Sequence, residues 1–137
     1  MTQPLSLLIV EDNELNRALV RAILTRAADP VLRHAEIIEA HTLAQARAVL
    51  ANARVDAVLL DVQLPDGSGL SLLDGLAELV PGARPVIVAV TGGVMPDQRA
   101  AAMAAGCDAI VTKPYVAADL TQTLAAQLAQ RPASRRH

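Results

Sequence analysis

At 137 residues the chain has the length of one domain and can bury about two-thirds of the surface that its unfolded form exposes. Its formal net charge of −2 gives no electrostatic reason to expect nucleic acid or an acidic membrane as a partner. Aromatic residues make up only 1% of the chain, so the core must consist of Ala, Val, Leu and Ile.

The single thiol and the lengths of the apolar runs indicate the cellular compartment of the protein. Cys107 is the only cysteine, which excludes an internal disulfide and fits a reducing compartment. The first residues lack the basic segment of a signal peptide, and no apolar run approaches the ~20 residues of a membrane span. The sequence therefore predicts a cytoplasmic protein with neither a membrane nor nucleic acid among its partners.

The first predicted elements are a strand at residues 5–10 and a helix for which Asn13 is the N-cap. Arg17 lies off the apolar stripe of this helix, and Asp29 with Pro30 is expected to end it. The predicted core stripe consists of Leu19, Val20, Ile23, Leu24 and Ala27. A short strand of mixed polarity at 35–40, typical of a sheet edge, is followed by a helix that begins at Thr42.

The second half of the chain continues this alternation. The third strand is predicted at 55–61, where an apolar run ends abruptly in Asp61 and a Pro-Asp-Gly turn follows. Ser68 or Ser71 is expected to cap one helix that bears the leucines up to position 79. The remaining predicted elements are a strand at 86–91, a helix that begins at 96 or 97 and ends at 105, a strand at 107–112, a helix at 116–130 and a frayed tail at 131–137.

Five strands that alternate with five helices predict βαβ units, a parallel sheet and helices on both of its faces. We therefore expect residues 1–130 to form one doubly wound α/β domain, a (βα)5 flavodoxin-like three-layer sandwich with strand order 2-1-3-4-5. The switch point of such a sheet lies between strands 1 and 3. Ligands of these folds bind there, at the carboxyl ends of the strands.

Polar residues stand at that edge after four of the predicted strands. Glu11 and Asp12 follow the first strand, Asp61 ends the third, Thr91 ends the fourth, and Lys113, the only lysine, follows the fifth. Three carboxylates this close require a divalent cation or a raised pKa, and ligation by oxygen alone suits Mg²⁺. A carboxylate nucleophile beside a metal, a hydroxyl and a fixed ammonium suits the formation of an aspartyl phosphate.

Each of these residues also has an ordinary interpretation. Asp61 could cap the turn after its strand, and the acidic pair at 11–12 could be a solvated helix start that complements the helix dipole. Thr91 could be a β-branched strand end, and Lys113 could be a surface charge. The agreement of four strand ends at one edge favours the phosphoryl site.

The motifs at these strand ends resemble those of the receiver domain of two-component response regulators, over essentially the whole chain to about residue 130. The matching segments are Leu-Ile-Val-Glu-Asp-Asn at 8–13, Leu-Leu-Asp-Val-Gln-Leu-Pro-Asp-Gly at 59–67, Val-Thr-Gly at 90–92 and Thr-Lys-Pro at 112–114. The Glu-Asp-Asn opening and the Ala-Gly-Cys-Asp run at 105–108 are most similar to receivers attached to hybrid histidine kinases.

The resemblance implies a role for each site residue. Asp61 would be the phosphoacceptor, Thr91 the switch hydroxyl and Lys113 the cation that holds the phosphoryl group, with a cis peptide after it. The implied cofactor is Mg²⁺, and its implied ligands are Glu11 (through water), Asp12, Asp61 and the backbone carbonyl of Gln63. One departure is Ile110, since the family usually has Tyr or Phe three residues before the lysine as a rotameric switch.

The sequence thus predicts a single-domain response regulator that takes a phosphoryl group from a histidine kinase or a histidine phosphotransfer protein, as a monomer or a weak homodimer. It would act as a relay or by contact, with only self-catalysed phosphoryl uptake and hydrolysis and without a DNA-binding domain. Two alternatives stay open. A pseudo-receiver that works without phosphorylation is kept open by Ile110, and an aspartyl-phosphate phosphatase is disfavoured because Gln63 stands where a second acid would be needed.

Overall fold

The computed structural model describes residues 4–92 and 96–130, so the predicted tail at 131–137 lies outside the described residues. Within them the strands are β1 (Ser6–Val10), β2 (Glu36–Ala40), β3 (Ala57–Asp61), β4 (Gln63–Leu64), β5 (Gly67–Ser68), β6 (Val86–Thr91) and β7 (Ala109–Thr112). The five longer strands form one parallel sheet in the order β2-β1-β3-β6-β7. The short strands β4 and β5 form a separate two-stranded hairpin, so β6 and β7 are the fourth and fifth strands of the main sheet. This confirms the predicted order 2-1-3-4-5.

Helices cover both faces of the sheet. They are α1 (Glu14–Thr25), α2 (Pro30–Arg33), α3 (Leu43–Asn52), α4 (Leu76–Leu79), α5 (Pro96–Ala105) and α6 (Ala117–Ala129), with a 3-10 helix at Gly69–Leu73. Successive residues of β1 and β3 point to opposite faces, so Leu8 and Val58 join the apolar core under α3 while Leu7 and Leu59 join the core under α1 and α6. The result is the expected three-layer doubly wound α/β sandwich.

The inner face of α1 differs from the predicted stripe. Val20 and Leu24 are buried as expected, but Leu19 is 52% exposed and Arg17 is buried. The buried residues Arg17, Val20 and Leu24 recur with helical spacing. Compared with the predicted stripe, the buried stripe of α1 is therefore rotated toward the side of the helix that carries Arg17. The long side chain of Arg17 can occupy a core position because its guanidinium finds acceptors at the sheet edge.

The helix predicted after the Pro-Asp-Gly turn is broken into two short pieces. Ser68 caps the 3-10 helix through its hydroxyl, which accepts from the backbone N–H of Leu70 at 3.3 Å. Asp74 is then extended, and Gly75 has φ of 69°, a left-handed conformation that favours glycine. A glycine in this conformation interrupts the leucine periodicity that predicted one continuous helix.

Several other elements differ slightly from their predicted bounds. α1 ends at Thr25, before the predicted stop at Asp29 and Pro30, and these two residues instead begin α2, with the Asp29 carboxylate accepting from the N–H of Val31 at 2.9 Å. β3 begins at Ala57 and β7 at Ala109, each two residues later than predicted.

Among the helices described at 4–92 and 96–130, none is both long and apolar enough to cross a membrane.

Candidate functional site

Three carboxylates meet at the carboxyl edge of the sheet, as the predicted topology requires. Each of Glu11, Asp12 and Asp61 offers an oxygen, and these oxygens lie within 4.8 Å of one another. Glu11 and Asp61 are only 6% and 8% exposed, whereas Asp12 is exposed at the rim. A cluster of hard oxygen donors that is open on one side fits a divalent cation such as Mg²⁺, which retains several of its waters.

The ammonium of Lys113 is the cation that faces this cluster in the structure. Its Nζ donates to Oε1 of Glu11 at 3.2 Å and lies 3.5 Å from Oδ2 of Asp61. Partial burial alone would lower the pKa of Lys113, but the attraction of Asp61 and Glu11 outweighs it, and the pKa is raised. The lysine therefore stays charged and holds the two carboxylates together.

The backbone around Lys113 places its side chain over the site. Its N–H donates to the carbonyl of Thr91 at 2.7 Å, which joins the ends of β6 and β7. The peptide between Lys113 and Pro114 is cis, as the resemblance implied. Thr91 itself is buried at the end of β6, opposite Thr112 and next to Val90, the register partner of Asp61. The predicted hydroxyl thus ends its strand at the same edge as Asp61.

The loop after β3 is folded tightly against Asp61. The N–H of Gln63 donates to Oδ1 of Asp61 at 3.0 Å, which orients the carboxylate. A Cβ on Gly69 would lie 2.0 Å from the carbonyl oxygen of Asp61, so only glycine fits this close approach. Gly69 was not singled out from the sequence, since its flanking residues read only as an ordinary turn.

Asp66 of the Pro-Asp-Gly turn lies outside the acidic cluster, and its carboxylate binds the start of α3. Its two carboxylate oxygens accept from the N–H groups of Leu43 and Ala44, at 3.0 and 3.3 Å, at the start of α3. The hydrogen bond from Leu43 is the largest cause that lowers the pKa of Asp66. The loop that carries Gln63 is therefore tied to α3.

Three further residues, none of which the sequence assigned to the site, hold Glu11. Asn16 donates from its side-chain amide to Oε1 at 3.2 Å, and the N–H of Asn13 donates to Oε2 at 3.1 Å. Arg17 donates from Nη1 to the backbone carbonyl of Glu11 at 2.8 Å. The only available signal was the spacing of these polar residues after the strand, which also suits an ordinary capped helix start.

Ile110 lies away from the acidic cluster, in β7 beside Ala89 of β6. Its side chain is half-buried and packs against the apolar core beneath α3. It also borders a shallow depression between α5 and α6 that includes Met103 and Ala126. No aromatic ring occupies this position, which is the departure that the sequence showed.

The chain is similar to known proteins over most of its length. The family described as response regulator receiver domain matches residues 7–125. The chain is 31% identical to the polar-differentiation response regulator DivK of Brucella anthropi over 125 residues, which are 91% of this chain and 97% of that protein. DivK of Brucella ovis is 30% identical over 123 residues, 90% of this chain and 95% of that protein.

Solved structures share the fold. A CheY-like receiver from Methanospirillum hungatei JF-1 superposes with a TM-score of 0.79 and 26% identity, covering 93% of this chain and 96% of that one. The receiver domain of the sensor histidine kinase PA1611 from Pseudomonas aeruginosa PAO1, solved with magnesium in its active site cleft, has a TM-score of 0.77 and 23% identity. That match covers 93% of this chain and all (100%) of the other.

Proposed function

We propose a phosphoryl-accepting function for this chain, which belongs to the response regulator receiver family. In this function the Asp61 carboxylate takes a phosphoryl group from a phosphohistidine on a histidine kinase or a histidine phosphotransfer protein. The phosphorylated chain then passes the group on or acts by contact. The uptake and hydrolysis are self-catalysed, and the chain turns over no other substrate.

The observation that carries the proposal is the pairing of the Lys113 ammonium with Asp61 and Glu11, at 3.5 and 3.2 Å, beside the third carboxylate of Asp12. In the transfer, a carboxylate oxygen of Asp61 forms a bond to phosphorus while the phosphorus–nitrogen bond of the donor breaks. The electron pair of that bond stays on the imidazole nitrogen, which takes a proton. Lys113 and Thr91 would donate to the phosphoryl oxygens, where negative charge is concentrated.

We propose Mg²⁺ as the cofactor, held by the carboxylates of Glu11, Asp12 and Asp61 and by the carbonyl of Gln63. Bound there, Mg²⁺ would supply positive charge to neutralise the phosphoryl oxygens. The support is the donor set, since three carboxylate oxygens within 4.8 Å of one another face only one lysine among the described residues. The hydrogen bonds from Asn13 and Asn16 keep Glu11 in its place in the metal-free protein.

We also propose which partner the chain meets and where in the cell it acts. The partner is a protein that carries a phosphohistidine, and we propose a monomer or weak homodimer that acts in the cytoplasm. The buried, unpaired thiol of Cys107 suits a reducing compartment. A phosphatase mechanism is disfavoured because the exposed Gln63 supplies no second acid two residues after Asp61.

Intact-mass measurement after incubation with Mg²⁺ and phosphoramidate tests the function. The wild-type chain should gain one phosphoryl group, Asp61→Asn should gain none, and chelation of Mg²⁺ should prevent the gain. Asp74→Asn is a matched control, because Asp74 is exposed and outside the acidic cluster. Uptake by Asp61→Asn at the wild-type rate would remove the assignment, and no uptake by the wild type would favour the phosphorylation-independent alternative.

A further inference from the structure

We propose that Arg17 is a positioning residue for the metal site and fixes the orientation of the peptide group between Glu11 and Asp12. This inference rests on the Mg²⁺ site of the proposed function. The side chain of Arg17 starts from α1 and is almost fully buried, with 7% of the residue exposed. A buried guanidinium without acceptors would be strongly unfavourable, so the identity of its acceptors shows what it organises.

The guanidinium joins two elements at the edge of the sheet. Nη1 donates to the carbonyl of Glu11 at 2.8 Å in a fully buried hydrogen bond, and Nε donates to Oε1 of Glu39 at 3.1 Å. Glu39 belongs to β2 and is the register partner of Ile9 in β1. The planar fork of arginine therefore connects the end of β1 to its neighbouring strand, a geometry that a lysine cannot reproduce.

The carbonyl of Glu11 belongs to the peptide group that joins Glu11 to Asp12. On its other side, Glu11 is fixed by its N–H, which donates to the carbonyl of Ala40 in β2 at 3.0 Å. Both ends of the Glu11 backbone are thus bound, one by β2 directly and one through Arg17 and Glu39. The exposed carboxylate of Asp12 depends on the orientation of this peptide for its direction toward Asp61.

Positioning and charge have opposite effects on metal binding, which makes the role of Arg17 testable. As a nearby cation, Arg17 would oppose Mg²⁺, and removing it would tighten binding. As a positioning residue it keeps the ligands in place, and removing it would weaken binding even though a repelling charge is lost. Loss of a residue that hydrogen-bonds to a metal ligand typically weakens metal affinity by about 10- to 100-fold.

The experiment is a Mg²⁺ titration of the full chain, followed by the amide resonances near the cluster, for the wild type, Arg17→Lys and Arg17→Met. We expect both variants to bind Mg²⁺ at least about 10-fold more weakly. Arg21→Met is the matched control, since Arg21 pairs with the same Glu39 and is half exposed but has no hydrogen bond to Glu11. Its Mg²⁺ affinity should stay at the wild-type value.

Two further measurements separate positioning from a general loss of structure. Urea unfolding in chelator establishes that each variant is folded, and Arg17→Lys decides the question if Arg17→Met does not fold. Phosphoryl uptake by the folded variants should return to the wild-type rate at saturating Mg²⁺. Binding as tight as in the wild type, or tighter, for both Arg17 variants overturns the inference. If the wild type itself binds no Mg²⁺, it is the proposed function that fails, and this inference fails with it.

Discussion

The ammonium nitrogen of Lys113 lies 3.5 Å from Oδ2 of Asp61, although the two residues come from the ends of different strands. The same nitrogen also donates to Glu11 at 3.2 Å. One cation therefore stands between two of the three carboxylates that would hold a metal. In the metal-free protein this lysine relieves part of the repulsion that the acidic cluster would otherwise create.

Lys113→Met should destabilise the metal-free protein and tighten its binding of Mg²⁺. Loss of the ammonium leaves the carboxylates without their facing cation, which should lower the free energy of unfolding in chelator by about 1 kcal/mol. Saturating Mg²⁺ should restore most of the loss. Urea unfolding with chelator and with Mg²⁺ measures both effects, and Arg26→Met is a control at an exposed arginine. Equal stability of variant and wild type in chelator would contradict the prediction.

Gly69→Ala should disrupt the loop that follows Asp61. The added Cβ would lie 2.0 Å from the backbone carbonyl oxygen of Asp61, so the end of β3 or the loop must move. We expect a loss of about 2 kcal/mol in the free energy of unfolding, together with slower phosphoryl uptake. Gly82→Ala is the matched control, because a Cβ there meets nothing within 4 Å. Two alanine variants of equal stability would show that the loop relaxes freely.

The strand order and the meeting of the acidic residues could be predicted because both follow from alternation along the chain. The apolar run that ends in Asp61 and the polar ends of the other strands required only the rule that parallel strands end at one edge. The structure confirmed the sheet order and the three-layer fold. These features depend on local pattern and topology, which a single sequence contains.

The features that could not be predicted depend on contacts between distant segments. The break at Gly75 requires a left-handed conformation that the leucine spacing alone does not reveal. Arg17 is buried because Glu39, 22 residues away, and the Glu11 carbonyl accept its hydrogen bonds. Gly69 is constrained only by the close approach of Asp61 in the folded chain. At each of these positions the constraint comes from a contact that forms only in the folded chain, so the local sequence does not show it.

Stability should fall at alkaline pH, with Cys107 as one cause. Burial, with a smaller contribution from Asp108, raises the pKa of this thiol from 9.0 to about 11. The folded state therefore keeps a proton that the unfolded state releases, and stability present below pH 9 is lost as the pH rises toward 11. The raised pKa values of Lys113 and Tyr115 act in the same direction.

Urea unfolding at a series of alkaline pH values measures this loss for the wild type and Cys107→Ala. The thiol should contribute on the order of 2 kcal/mol to the decline between pH 9 and 11. Cys107→Ala should be less stable at neutral pH but should show the shallower decline. Parallel curves for the two proteins would mean that the thiol does not titrate differently in the folded and unfolded states.

The phosphohistidine partner should bind over α1 and the loop after β7. Leu15 and Leu19 are 80% and 52% exposed on α1, the helix that begins at Glu14 directly after the acidic pair at 11–12, and the half-buried Ala22 is on the same helix. Exposed apolar residues next to a reactive site often mark a partner surface. Pro114 is exposed and Tyr115 half-buried in the loop that follows Lys113, so both sides of the site offer contacts.

Leu15→Ser should slow phosphoryl transfer from the protein partner by about 10-fold, the effect of a modest interface hot spot, and leave uptake from phosphoramidate unchanged. Val31→Ser is the matched control, because Val31 is also exposed, at 53%, but belongs to α2. Transfer and chemical-shift mapping with the kinase or phosphotransfer protein give the result. A partner placed on α3 or on the loop around Gly75 would contradict the prediction.

Ile110 should limit the conformational change that follows phosphorylation. In receivers with an aromatic residue there, the threonine hydroxyl moves toward the phosphoryl group and the ring turns inward to fill the space. Isoleucine is β-branched, stiff at its first torsion, and already packs against the core beneath α3. It can therefore stay in place in both states, and the surface of α5, β7 and α6 should change little.

Amide spectra with and without beryllofluoride, a mimic of the phosphoryl group, measure this change. Shifts should concentrate near Glu11, Asp61, Gly92 and Lys113, where hydroxyl and backbone groups meet the new acceptors. Ile110→Tyr should extend the shifts across residues 96–127, because it supplies a ring that can move between the surface and the space beside Thr91. Large shifts across that range in the wild type would mean that another residue provides the switch. Confined shifts would instead suit a chain that relays phosphoryl groups, since relay requires contact at the Asp61 edge and little movement elsewhere.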